Sequence, residues 1–246
     1  MKQTIEVVSE PLAVADIAAQ RIERRIQAAY EREDPFVLGL ATGATMNPIF
    51  DSLVRRHREA GLSFSRVRAF HLDEYWPLKR DDTAGFAASL EARFIGKVDF
   101  LEDSFTPFPS STVSAGVEKS CAAYCKAIAM AGGINLQVVG VGVNGHLAFN
   151  EPGSEVDSRA RKVNLAPETL ARMPDGVNYN EALTLGIADI LEAKEILFVA
   201  TGADKSKAVQ RALKVPPSAD CPASFLQKHP SVTWLIDVAA ASLLQG

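Results

Sequence analysis

A chain of 246 residues, 47% apolar and 23% charged, can bury one large hydrophobic core. Its formal charge of -4 argues against nucleic acid as a partner, because phosphate-backbone binding needs a concentrated basic surface, yet it leaves room for a small anion. No apolar run approaches the roughly 18 residues of a membrane span and no signal-peptide pattern opens the chain, so a cytoplasmic protein without a membrane partner is expected. Three cysteines, an odd number, fit a reducing compartment. Cys121 and Cys125 lack a second Cys or His pair of matching spacing, so they read as buried small side chains rather than zinc ligands, and no metal is expected.

Apolar, β-branched runs alternate with longer helical patterns. Strands are expected at 5–8, 36–41, 67–70, 136–141, 195–201 and 232–237. Helices are expected at 13–30, 48–60, 85–95, 114–131, 187–191, 205–214 and 223–228, with Asn47 as N-cap and Pro48 in the first turn of the second. Short apolar strands alternating with helices predict an α/β fold: one three-layer domain over residues 1–246, its mainly parallel sheet covered by helices on both faces. The segments 107–111 and 172–180 read as surface loops.

In such a fold, chemistry belongs in the loops at the carboxyl ends of the strands. The first loaded loop, Thr42-Gly43-Ala44-Thr45, is a Gly/Thr turn before a helix. It suits an anion through free N–H groups and hydroxyls, and equally a tight connection without ligand. The second carries Asp73 and Glu74 just past a strand. Asp73 in an apolar pocket would gain proton affinity and serve as a base, whereas capping of the next segment is the alternative for the pair. The third, residues 139–154 (VGVGVNGHLAFNEPGS), packs Asn144, His146, Asn150 and Glu151 into a strand end. The fourth places Asp204 as a helix N-cap and Lys205 in the first turn, where a cation is unfavourable unless it meets an anion.

These loops, as LGLATGAT (38–45), FHLDEY (70–75), GVNGHLAFNEPGS (142–154), EALTLGI (181–187) and GADK (202–205), closely resemble the glucosamine-6-phosphate deaminase family. The resemblance implies conversion of glucosamine 6-phosphate to fructose 6-phosphate and ammonia, without metal or organic cofactor, by a protein that is either a monomer or a homo-oligomer. It implies that Asp73 carries the C2 proton to C1. His146 would open the sugar ring and Glu151 would orient it, with Asn144 standing where an aspartate is common. Thr42, Gly43, Ala44, Thr45 and Lys205 would hold the phosphate, joined by an arginine for which Arg172 is the candidate ahead of Arg159 and Arg161.

Three departures bear on tuning. Ala44 stands where a second glycine is usual, and a positive φ there would cost alanine about 1 kcal/mol. Trp76-Pro77 and Gly85-Phe86 replace pairs common in the family, which leaves galactosamine 6-phosphate as an alternative substrate. A lactonase of the same fold would carry S-L-F-P where Ala148-Phe149-Asn150-Glu151-Pro152 stands, and a sugar-phosphate-sensing domain would carry a basic DNA-binding segment. Both alternatives are disfavoured.

Overall fold

The apolar runs at 36–40 and 196–200 are buried at every position, so both faces of their strands need cover. The computed structural model describes residues 2–78, 82–110, 114–173 and 176–244; Ser111, Pro174 and Asp175 of the two expected loops lie outside that range. The first half of the chain forms β1 (Lys2–Val8), α1 (Pro11–Glu31), β2 (Phe36–Leu40), α2 (Asn47–Ala60), β3 (Val67–His71), β4 (Asp73–Trp76), α3 (Phe86–Arg93), β5 (Phe105–Thr106), α4 (Val117–Met130) and β6 (Leu136–Val139). The second half forms β7 (Arg161–Asn164), α5 (Pro167–Leu170), β8 (Glu181–Thr184), α6 (Ile187–Leu191), β9 (Ile196–Ala200), α7 (Ser206–Lys214) and β10 (Ser231–Asp237).

Seven strands make one parallel sheet in the order β1-β10-β9-β6-β2-β3-β5. The two faces of β1 show how it is covered. Glu6 meets Arg21 of α1, while Gln3, of opposite parity, donates to the carbonyls of Leu226 and His229 on the other side. The α/β reading therefore holds, and the expected parallel strands are all present.

Other expectations are corrected. A second, three-stranded antiparallel sheet, β4-β8-β7, was not expected. Its strands are four residues each and carry charges at DEYW, RKVN and EALT, so they show no apolar run. Asn47 is the first residue of α2 rather than its cap, a position held by Met46 without a side-chain bond. Residues 222–228 wind as a 3-10 helix, not an α-helix. Asp204 and Lys205 lie in a 3-10 turn ahead of α7, so the N-cap position falls on Lys205, without a side-chain bond, rather than on Asp204, and Lys205 precedes the first turn of α7 instead of lying in it. Cys121, Cys125 and Cys221 are free thiols, and among the described residues no cluster of three or more His, Cys, Asp or Glu could hold a metal ion. None of the described helices is long and apolar enough to cross a membrane.

Candidate functional site

Strand order decides what the loops can share. From β2 the chain steps to β3 on one side, and β6 later takes the place on its other side, so the direction of winding reverses at β2. The crevice outside the carboxyl ends of such strands is where open α/β sheets bind ligands. The turn after β2, the segment after β3, the 140–154 loop after β6 and the 202–205 turn after β9 all leave this one edge, from four neighbouring strands.

The small sheet then ties two of these segments together. Asp73 begins β4 and is the register partner of Thr184 on β8. Thr184 Oγ1 accepts the N–H of Phe149, and Asn150 Nδ2 donates to the carbonyls of Leu185 and Leu147. The His/Glu loop is thereby fastened beside the strand that starts at Asp73.

Asp73 and Glu74 separate as a strand requires, to opposite faces. Asp73 is 6% exposed, and its carboxyl makes no side-chain hydrogen bond among the described residues. Burial, with a smaller contribution from the charge of Glu74, raises its pKa to about 8. Glu74 instead accepts backbone N–H groups of Tyr75, Phe86 and Ala87, the last two in the first turn of α3. One residue of the pair keeps a buried carboxyl without a side-chain hydrogen bond and the other caps the next segment.

His146 and Glu151 form the second half of the site. His146 Nδ1 lies 3.2 Å from Glu151 Oε2, which also accepts Asn144 Nδ2 at 2.9 Å. Asn144 Oδ1 accepts the His146 N–H in turn, so the amide bridges both partners. Glu151 Oε1 accepts the N–H of Ala166 and the hydroxyl of Thr169, whose oxygen is 3.4 Å from His146 Nδ1. Burial opposes ionisation of Glu151, but the bond and charge of His146, with Thr169 and Asn144, outweigh it and hold the pKa at about 2. A permanent carboxylate facing Nδ1 fixes the imidazole orientation and leaves Nε2 for chemistry.

Two backbone features serve this pair. A Cβ on Gly142 would fall 2.1–2.4 Å from three ring atoms of His146, so the imidazole occupies the space a side chain would fill. Gly142→Ala is therefore expected to displace the ring and cut turnover by about 100-fold or more while melting stays within a few degrees, measured by steady-state kinetics beside thermal denaturation. Wild-type turnover would show that the ring relocates freely. Ala44 is not among the residues of positive φ, so the condition for strain at position 44 is not met, whereas Ala148 in the 140–154 loop has φ 50°. Ala148→Gly should stabilise the fold by up to about 1 kcal/mol in chemical denaturation. A destabilised variant would contradict that account.

The anion-accepting side is equally concrete. Gly43 has φ 103°, which a glycine takes without penalty. Its carbonyl accepts the N–H groups of Met46 and Asn47, whereas the N–H groups of Gly43, Ala44 and Thr45 find no partner among the described residues. Three such amides ahead of α2 are chemically suited to an anion. Asp237, buried at the end of β10, accepts the N–H of Gly202 with both oxygens and so sets the 202–205 turn. Lys205 is half-buried there, its pKa lowered by burial and by Arg172, with Asp204 opposing. Arg172 Nη1 pairs with Asp204 Oδ2 at 3.0 Å, which brings the expected arginine beside the lysine. Arg159 is committed to Asp189 and Glu192, and Arg161 to Asn150 and Ser154, where it braces the 140–154 loop.

Sequence reasoning missed Thr169 and Asp237, while the capping alternative weighed for the acid pair holds for Glu74 alone. Thr169 lies on a four-residue helix between two unexpected strands, so nothing local marked it. A second apolar cluster walls this end of the molecule. Tyr75 stacks on Tyr179 at 5.2 Å and meets Phe86 at 4.6 Å, and Phe86 stacks on Phe149 at 5.7 Å. Phe86 and Trp76, the family departures, are thus packed, with Lys162 Nζ over the Trp76 ring at 4.4 Å.

Proton transfer on a small anionic molecule is the chemistry that this fold and site are built for, which places the protein among the α/β enzymes. The chain belongs to the family of glucosamine-6-phosphate isomerases and 6-phosphogluconolactonases, whose model matches residues 9–234. It is 43% identical to a glucosamine-6-phosphate deaminase of Rhodopirellula baltica, with 92% of each chain covered. Against a deaminase of Beutenbergia cavernae the identity is 41%, over 98% of this chain and 93% of the relative. The solved structure of a monomeric glucosamine-6-phosphate deaminase superposes with TM-score 0.91 at 34% identity, over 98% of this chain and 99% of the other. The 6-phosphogluconolactonase of Trypanosoma brucei, at 24% identity and TM-score 0.79 over 99% of each chain, shares the fold.

Proposed function

We propose that this chain deaminates and isomerises glucosamine 6-phosphate to fructose 6-phosphate and ammonia. The observation that carries the reading is the pairing, at one sheet edge, of a buried acid of raised proton affinity with a histidine held by an ionised glutamate. The relatives named above as deaminases support the substrate.

The phosphate sits on the N–H groups of Gly43, Ala44 and Thr45 and the Thr42 and Thr45 hydroxyls, with Lys205 and Arg172 as counter-charges. Binding at that remote end fixes the sugar, so the reacting groups need only move protons. His146 takes the anomeric hydroxyl proton and returns one to the ring oxygen, opening the ring. Asp73, as carboxylate, removes the C2 proton and delivers it to C1 through an enolamine-type intermediate. Protonation at C1 leaves a C2 iminium to which water adds; a proton of that water passes to the nitrogen, which leaves as ammonia as the C2 carbonyl forms. Asn144 keeps Glu151 and the His146 backbone in register where a carboxylate would add a second charge.

The test uses three substrates: glucosamine 6-phosphate, galactosamine 6-phosphate and 6-phosphogluconolactone, with ammonia and acid release followed separately. Ammonia from the first at the highest kcat/KM is the expected result. Faster ammonia release from galactosamine 6-phosphate would move the assignment to that sugar. Acid release from the lactone with no ammonia from either amino sugar would overturn it.

A further inference from the structure

We propose that Glu74 is a positioning residue for Asp73: its carboxylate ties the first turn of α3 to the strand carrying the base, and holds a fixed negative charge beside it. The inference rests on the role of Asp73 as base given above. Glu74 is fully buried, at 0% exposure, so water does not screen it. Its Oε1 accepts the N–H groups of Tyr75 at 3.0 Å and Phe86 at 2.8 Å, and Oε2 accepts that of Ala87 at 2.8 Å. All three partners are donors, and the carboxylate form satisfies them. Burial raises the pKa of Glu74, and the three bonds work against that rise.

The room for this contact comes from Gly85. A Cβ there would meet Glu74 Oε2 at 3.2 Å and Leu78 Cδ2 at 2.5 Å. Alternation along β4 turns Glu74 away from the crevice, so it acts on Asp73 through field and backbone rather than by touching substrate. The other ionisable groups are accounted for. Beside Asp73 stand His71, kept neutral by burial with its Nε2 accepting the Phe108 N–H, and Tyr75 and Tyr124, whose phenols burial keeps protonated. Asp82 adds a weaker negative charge near Glu74, with the Tyr179 hydroxyl bonded to it.

The experiment compares Glu74→Gln and Glu74→Asp by the pH dependence of C2-proton exchange with solvent, between about pH 5.5 and 9.5. The wild-type exchange should rise with a midpoint near 8, where Asp73 ionises. In Glu74→Gln the neighbouring charge is gone and the midpoint should fall by about one unit. Glu74→Asp keeps the charge, so its midpoint should stay while its plateau drops, because the shorter arm cannot hold both N–H groups of α3. An unmoved midpoint in Glu74→Gln would overturn the proposal, and so would a shift in Glu74→Asp as large as that in Glu74→Gln. Should Glu74→Gln fail to fold, Glu74→Asp decides alone: a retained midpoint with a lowered plateau supports the proposal and a lowered midpoint overturns it. Exchange that survives Asp73→Asn would sink the base assignment itself, separately from any result at Glu74.

Discussion

Replacing Asp73 by Asn is expected to lower C2-proton exchange by about 10²–10⁴-fold, the usual contribution of a positioned base, while binding of the sugar phosphate remains detectable. Asn keeps the shape of the side chain and cannot accept the proton. The same substitution should make the fold more stable. In the native protein the Asp73 pKa is raised to about 8, against 3.8 for the free group. Between those values the unfolded chain sheds the proton and the folded chain keeps it. Stability is therefore lost as pH rises from 3.8 to 8, by about 4 kcal/mol at pH 7, and then levels off. A neutral Asn escapes that loss, so Asp73→Asn should melt higher than wild type at pH 8 and equally at pH 3.5, within the range both proteins tolerate. Exchange at the wild-type rate would remove Asp73 from the role of base. A lower melting temperature at pH 8 would show that its burial does not strain the fold.

The second large effect is expected at His146. His146→Gln retains a donor toward Glu151 but cannot pass a proton between ring oxygen and anomeric hydroxyl. Turnover of the cyclic substrate should fall by about 10²–10⁴-fold, and that of an open-chain analogue by much less. Equal losses on both would count against ring opening. The variant also removes the imidazole charge which, beside the hydrogen bond that Gln can still make, helps to hold the Glu151 pKa low. Its sign is opposite to that of Asp73. A depressed carboxyl stabilises the fold fully above its ordinary 4.5 and loses that contribution as pH falls toward 2. Removing the histidine should shrink this dependence, so His146→Gln should lose less stability than wild type on acidification from pH 5 to 3.

Much of the scaffold was legible because apolar β-branched runs report burial directly. Phe36–Leu40 and Ile196–Ala200 are buried end to end, as parallel strands in a covered sheet must be. The small sheet was not legible. Arg161–Asn164 exposes alternate residues and Asp73–Trp76 opens with two acids, so neither run carries a hydrophobic signature. The missing sheet hid two further facts, since Thr169 hangs from its β7–β8 connection and Thr184 joins Asp73 to the His/Glu loop. Strain at Ala44 would need a positive φ, yet in these loops it is Ala148 that is left-handed, because φ depends on how a loop closes and not on which glycine is missing.

The sequence by itself determined the α/β alternation, the four loaded loops and the chemical character of each: hydroxyls and free amides, a pair of acids, a histidine with a nearby glutamate, and a lysine turn. These follow from local periodicity and from residue chemistry, which travel with the chain. Only the tertiary structure decided that β9, β6, β2 and β3 are neighbours, so that four distant loops share one edge. It also decided that the Asp73 carboxyl is buried without a side-chain hydrogen bond while Glu74 caps α3, and that Arg172 rather than Arg159 or Arg161 stands beside Lys205. Proton affinity belongs to this second group. A carboxyl near 8 and another near 2 carry the same functional group, and burial and hydrogen-bond partners, which exist only after folding, drive them apart.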